Sequence, residues 1–134
     1  MNRLLSNLVL SFGLSVSICG AMSASADEMD DLYYGLFIEP LYDVAYPRAL
    51  AGDSRAQFYL GVLYWDVQFE QMDPNRAFMW LEISYANGER GDVEEFLAQL
   101  YPYFTRKQGE RLLRAADRCI DSGYIECDPS KEPW

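Results

Sequence analysis

The sequence contains no histidine, and that absence removes several classes of function at once. Serine and cysteine nucleophiles activated by an imidazole are excluded, as are metal sites built on histidine ligands. Positive charge is scarce too: 11 Lys and Arg stand against 21 Asp and Glu, a formal net charge of −10. Such a surface repels phosphate backbones and anionic lipid headgroups, which argues against nucleic acid and membrane surfaces as partners. It suits a cationic partner, or simply solubility. Cysteine is limited to Cys19, Cys119 and Cys127, with no C-x-x-C pair to poise a thiol for redox work. No clean apolar run reaches the roughly 20 residues that a bilayer-spanning helix needs. Residues 8–18 come nearest, and Ser11, Gly13, Ser15 and Ser17 interrupt them.

What is present begins with an address. Residues 1–26 join a short basic start at Arg3, the apolar stretch, and the small-residue end Ala24-Ser25-Ala26, which fits an A-x-A cleavage site before Asp27. They predict a signal peptide, and thus a periplasmic or secreted protein with no membrane insertion after cleavage. Lipidation at Cys19 is disfavoured, because Ile18 stands just before it where lipoprotein signals carry a small residue. Cleavage removes Cys19, so the exported chain keeps Cys119 and Cys127 alone. In an oxidising compartment these two predict a structural disulfide, which stabilises by about 2–3 kcal/mol on the chain-entropy account. No metal site and no cofactor are expected. The acidic opening Asp27-Glu28-Met29-Asp30-Asp31 reads as a solvated leader whose carboxylates favour a helix N-terminus, not as a cation site.

Residues 51–88 are the stretch that organises the rest. Asp53 is placed to cap a helix in which Ala56, Leu60, Leu63 and Tyr64 share one face. Asp73-Pro74 starts a second helix, whose stripe Ala77, Phe78, Leu81 and Tyr85 ends at Asn87-Gly88. Gly61 lies inside the first helix, where it costs on the order of 1 kcal/mol against Ala, so its backbone is expected to be approached closely by a neighbour. Residues 65–72 connect the two helices without a glycine.

The pattern returns once. Leu60-Gly61-Val62-Leu63-Tyr64 reappears 37 residues on as Leu97-Ala98-Gln99-Leu100-Tyr101, and Gly52-Asp53 reappears 39 residues on as Gly91-Asp92. A period in this range signals a helical repeat array. Ala49, Gly52, Asp53, Ala56, Gln57, Leu60, Gly61 and Tyr64, followed by Asp73, Ala77, Trp80, Leu81 and Gly88, resemble the Sel-one-like repeat, a relative of the tetratricopeptide repeat. The match covers about one repeat. The chain departs from the family in its glycine-free connection, in Ser84 and Tyr85 near the family's small alanines, and in Glu94-Glu95 where an Ala-Gln pair belongs.

The flanks extend the helical reading. Residues 41–51 form a helix that runs through Pro47, a residue that usually kinks one. After Gly91-Asp92, the stripe Val93, Phe96, Leu97, Leu100 and Tyr101 is closed by Pro102. Thr105 and Gln108 then form a capping box, and Leu112, Ala116, Cys119 and Ile120 give a last apolar face. Such arrays commonly finish with a helix that covers the final repeat. The expected architecture is therefore all-α: a short α-solenoid of antiparallel helix hairpins with a C-terminal capping helix. It occupies residues 27–127, with the best repeat at 52–88, a degenerate one at 91–121, and a loosely ordered tail at 128–134.

The resemblance implies a protein-interaction module, since the first helices of tetratricopeptide-like arrays line a concave binding face. Phe58, Val62 and Trp65 form a second stripe on the first helix, with Arg55 one turn before it, and these four are the candidate binding residues. Two readings stand side by side: a surface for a partner helix or peptide, or core covered by neighbouring helices. The leading function is non-enzymatic adaptor or scaffold work in the cell envelope, with another protein or peptide as partner. The alternative is an acidic inhibitor or immunity-type protein that blocks a cationic target. A weaker alternative is a carboxylate-dependent cell-wall hydrolase, for which no acid pair is singled out by its surroundings. Two repeats make a small core, so pairing into a homodimer is a further expectation.

Overall fold

A computed structural model describes residues 26–134. The expected signal peptide lies outside them except for Ala26. The described residues hold six α-helices, two short 3-10 turns and no strand, so the all-α expectation holds. The helices are α1 (Ala26–Tyr34), α2 (Ile38–Leu50), α3 (Ser54–Trp65), α4 (Pro74–Ala86), α5 (Asp92–Leu100) and α6 (Arg106–Asp121). The 3-10 turns are Tyr101–Tyr103 and Pro129–Lys131.

Start signals in the sequence fix the helix boundaries. Asp53 accepts a hydrogen bond from the Ala56 amide at 3.1 Å and opens α3, with Gly52 supplying the positive φ that the turn before it needs. Asp73 accepts from the Asn75 and Arg76 amides at 2.9 and 3.2 Å, and Pro74 takes the first position of α4. Thr105 and Gln108 complete their reciprocal box at the head of α6. Pro47 does not end α2, because Pro47 and the Asp43 carbonyl it cannot bond both belong to exposed residues.

The helices α3 and α4 form an antiparallel hairpin tied at both ends. Near its connection the Asp73 amide donates to the Tyr64 carbonyl at 2.8 Å. At the far end the Ser84 hydroxyl donates to the Ser54 carbonyl at 2.8 Å, and Asn87 Nδ2 donates to Gln57 Oε1 at the same distance. Between the ties Gly61 meets Leu81: a Cβ at Gly61 would lie 2.5 Å from Leu81 Cγ, which is the close approach its presence in a helix implied. The connection does without glycine because Asp66 accepts from the Gln68 amide at 2.8 Å and Phe69 turns inward. The Phe69 ring packs 5.2 Å from that of Tyr42 and 5.6 Å from that of Tyr64.

The core is centred on this hairpin. Tyr59, Leu60, Tyr64, Phe78, Leu81 and Ile83 are fully enclosed. The hairpin packs on α2 through α3, and on α5 and α6 through α4, while α1 crosses α2 and α3. Gln57 is buried without being orphaned, since its Nε2 donates to the Ala49 carbonyl at 3.0 Å, which joins the ends of α2, α3 and α4.

Two expectations need correction. The acidic leader is not simply solvated, because it forms α1, buries Met29 completely and places Asp30 against α3. The tail at 128–134 is docked on α6 by an arginine ladder rather than lying loose. Arg111 donates to the Glu132 and Pro129 carbonyls, both at 2.8 Å, and stacks 4.3 Å from the Trp134 ring. Arg118 donates to the Asp128 carbonyl at 2.9 Å and pairs with Glu132, which Arg114 also reaches. Cys119 and Cys127 are bonded, with their Cα atoms 4.5 Å apart, so the bridge pins the start of this segment to α6.

Replacing Gly61 by Ala should cost about 1–3 kcal/mol in urea unfolding, because the new methyl must displace Leu81 within a packed hairpin. The same change at Gly109 of α6, where nothing lies within 4 Å of the position a Cβ would take, should instead stabilise by up to about 1 kcal/mol.

Candidate interaction grooves

A groove of about 200 Å³ is lined by residues of α1, α3 and α5. Tyr33 and Tyr34 come from α1, Arg55, Phe58 and Tyr59 from α3, and Asp92, Glu95, Phe96 and Gln99 from α5. The rings form an unbroken series. Tyr34, Tyr33, Tyr59 and Phe58 follow one another at centroid spacings of 5.3 Å, and Phe96 lies 5.7 Å beyond Phe58.

Arg55 is the centre of the groove. Its guanidinium lies 5.1 Å from the centroids of both Phe58 and Tyr59. It approaches Asp30 at 3.3 Å, Asp92 at 3.4 Å and Glu89 at 3.6 Å. Tyr59 donates its hydroxyl proton to Asp30, which ties α1 to α3. Burial pushes the Arg55 guanidinium down, but Tyr59, Asp30 and Asp92 push it further up, so it stays charged. Burial, and then the hydrogen bond to Asp30, raise the Tyr59 phenol well above the ordinary tyrosine range. Tyr33 is raised as well, first by burial and then by Tyr34 and Asp92.

The four residues named from the sequence do not act as one stripe. Arg55 and Phe58 reach the groove, although Phe58 is only 2% exposed and presents little more than a ring edge. Val62, 8% exposed, is covered where α1 passes into α2 and lines a small apolar recess there with Leu32 and Phe37. Trp65 is half-buried and packs 5.3 Å from the Tyr103 ring. Of the two readings, burial by neighbouring helices describes Phe58 and Val62. Asp30, part of the acidic opening, and Asp92, part of the repeated Gly-Asp pair, are site residues that the sequence does not single out. Asp92 does not cap α5, because no side chain caps that helix and Asp92 turns to Arg55 instead.

A second and larger groove, about 760 Å³, lies across the other side, between α2, α4, α6 and residues 124–128. Tyr46, Trp80, Arg76, Arg118 and Lys131 are among its walls. Its charges are largely matched within the chain, Arg76 with Asp73 and Arg118 with Glu132 and Glu126. Asp128 is held below the usual carboxylate range by its hydrogen bond with Ser130, and further by Arg76 and Lys131. The smaller groove is the more specific candidate, because carboxylates from three residues approach a single guanidinium there and leave an excess of negative charge.

Neither groove offers a recognisable reacting centre. Among the described residues no group of three or more histidine, cysteine, aspartate or glutamate side chains is placed to hold a metal ion. Glu82 is a carboxylate that burial raises, but it accepts a hydrogen bond from Tyr101 at 2.5 Å and lines neither groove. Comparison with protein-family models, curated proteins and solved structures finds no match for this chain.

Replacing Asp30 by Ala removes the acceptor for Tyr59 and one partner of Arg55. A loss of about 1 kcal/mol is expected, at the low end for a charged hydrogen bond because the Asp30 side chain is 38% exposed and solvent screens it. Amide exchange should quicken across α1 and stay unchanged in α6.

Proposed function

We propose that this protein is an exported, non-enzymatic interaction module of the Sel-one-like repeat type, working as an adaptor or scaffold in the cell envelope. On this reading α3 and α4 are the full repeat, α5 and α6, which both pack on α4, stand in the place of the degenerate one, and α6 is the cap. Several motif residues have physical roles that fit a repeat. Asp53 and Asp73 cap, Gly61 admits Leu81, and Gln57 joins three helix ends. The export half of the proposal rests on residues 1–26 and on the Cys119–Cys127 bridge, a bond that persists in oxidising compartments.

The observation that carries the interaction reading is the convergence of α1, α3 and α5 on one groove, whose walls come from alternate helices as in a repeat array. A second reading, an acidic protein that blocks a cationic target, is favoured by the net charge of −10 and by the carboxylates around Arg55.

The test is capture from periplasmic extract by the full chain and by two surface variants that leave the core untouched. Tyr34 is 76% exposed at the groove mouth, so Tyr34→Ala should weaken retention of a true partner by about tenfold, the effect of losing one well-placed aromatic contact. Glu126→Lys, at the opposite groove, should leave retention unchanged. Capture that ignores Tyr34→Ala would remove the groove from the account. Elution in salt steps separates the two readings, since a charge-driven blocker is released early and an apolar contact is not.

A further inference from the structure

We propose that the groove among α1, α3 and α5 takes an arginine or lysine side chain presented by a basic segment of a partner protein. The inference rests on the reading of this groove as an interaction surface and names what that surface recognises.

Aromatic faces are the first ground. Five rings run in series along the groove, and a cation held over the faces that remain open gains from the negative charge of each π system. Tyr33 and Phe96 are half-buried and Tyr34 is exposed, so part of the series is open to a ligand. Charge is the second. Asp30, Glu89 and Asp92 approach Arg55, which is the one cation among the described residues that line the groove, and Glu95 lines the groove as well. Glu95 stands exposed on α5. The field of the whole chain, at −10, draws cations toward every face, and this groove gives one a place to stop.

Arg55 itself shows that these walls hold a guanidinium. It lies over two rings while carboxylates approach from three residues, the surroundings a partner's arginine or lysine would meet toward Tyr33, Tyr34 and Glu95. Size is the last ground. About 200 Å³ is below the range of pockets that take whole small molecules. It suits one long side chain reaching in from a segment that stays outside. An anionic ligand would meet the excess of carboxylates, and an uncharged apolar one would gain nothing from them.

The probes are a blocked Ala-Arg-Ala-Arg-Ala peptide, its lysine counterpart, and its citrulline counterpart, which keeps the shape of arginine and lacks the charge. Each is titrated into the full chain at low salt and followed by amide chemical shifts and by calorimetry. The arginine and lysine peptides should shift Tyr33, Tyr34, Glu95 and Gln99, and citrulline should bind at least about tenfold more weakly. Glu95→Lys should weaken the arginine peptide by about tenfold, while Glu126→Lys on the opposite groove should change it less than about twofold. Equal binding of citrulline overturns the proposal, as does equal loss in the two charge reversals, which would mean diffuse attraction to an acidic surface. No shift at roughly 1 mM peptide also overturns it. If the peptides fail while a captured partner is still lost on Tyr34→Ala, the groove remains an interaction surface and the cation assignment alone falls.

Discussion

The close approach of α3 and α4 at Gly61 is the constraint on which the rest of the structure depends. With no Cβ at that position, Leu81 lies against the α3 backbone, and two helices of 12 and 13 residues can be tied at both ends by polar contacts. A bulkier residue would part the hairpin near its middle and strain both ties. The remaining elements use the two sides this pair presents. One receives α2 and α1, the other α5 and α6. The position of Arg55 follows from the same pairing, because the turn that Asp53 opens sets the rotation of α3 and with it the direction of every side chain on that helix.

Features carried by local chemistry were legible in the sequence. The caps at Asp53, Asp73 and Thr105, the start at Pro74, the helix running through Pro47 and the tight contact at Gly61 each depend on one residue and its near neighbours. Cysteine pairing was legible because Cys119 and Cys127 stand eight residues apart on either side of the turn that ends α6. What was not legible depends on partners distant in the chain. Asp30 matters only because α1 returns to α3, 29 residues later at Tyr59, and nothing in an acidic leader announces that. The tail is held by side chains from α6 reaching backbone carbonyls, which any sequence supplies. Its signal, had it been read, was the spacing of Arg111, Arg114 and Arg118 along one helix face.

The candidate groove was half legible. Periodicity put Arg55 and Phe58 on one side of α3, and they do share a groove, but it extended the same stripe to Val62 and Trp65, which neighbouring segments cover. The cause is that α1 and the turn after α5 pack over that side of α3, contacts that helical periodicity does not show. Specific chemistry is thereby concentrated near the α1 end, where rings and carboxylates surround one guanidinium. The larger groove on the other side has cations and acids already matched to one another, which makes it a less selective surface despite its size.

Hydrogen exchange on the full chain tests the primacy of the α3–α4 contact most directly, because it orders the elements by the free energy needed to open each. The account predicts that amides at residues 60–63 and 79–83 exchange last and together, and that α1 and residues 128–134 exchange well before them. Exchange of α3 as early as α1, or a slowest region confined to α6, would show that stability is organised elsewhere.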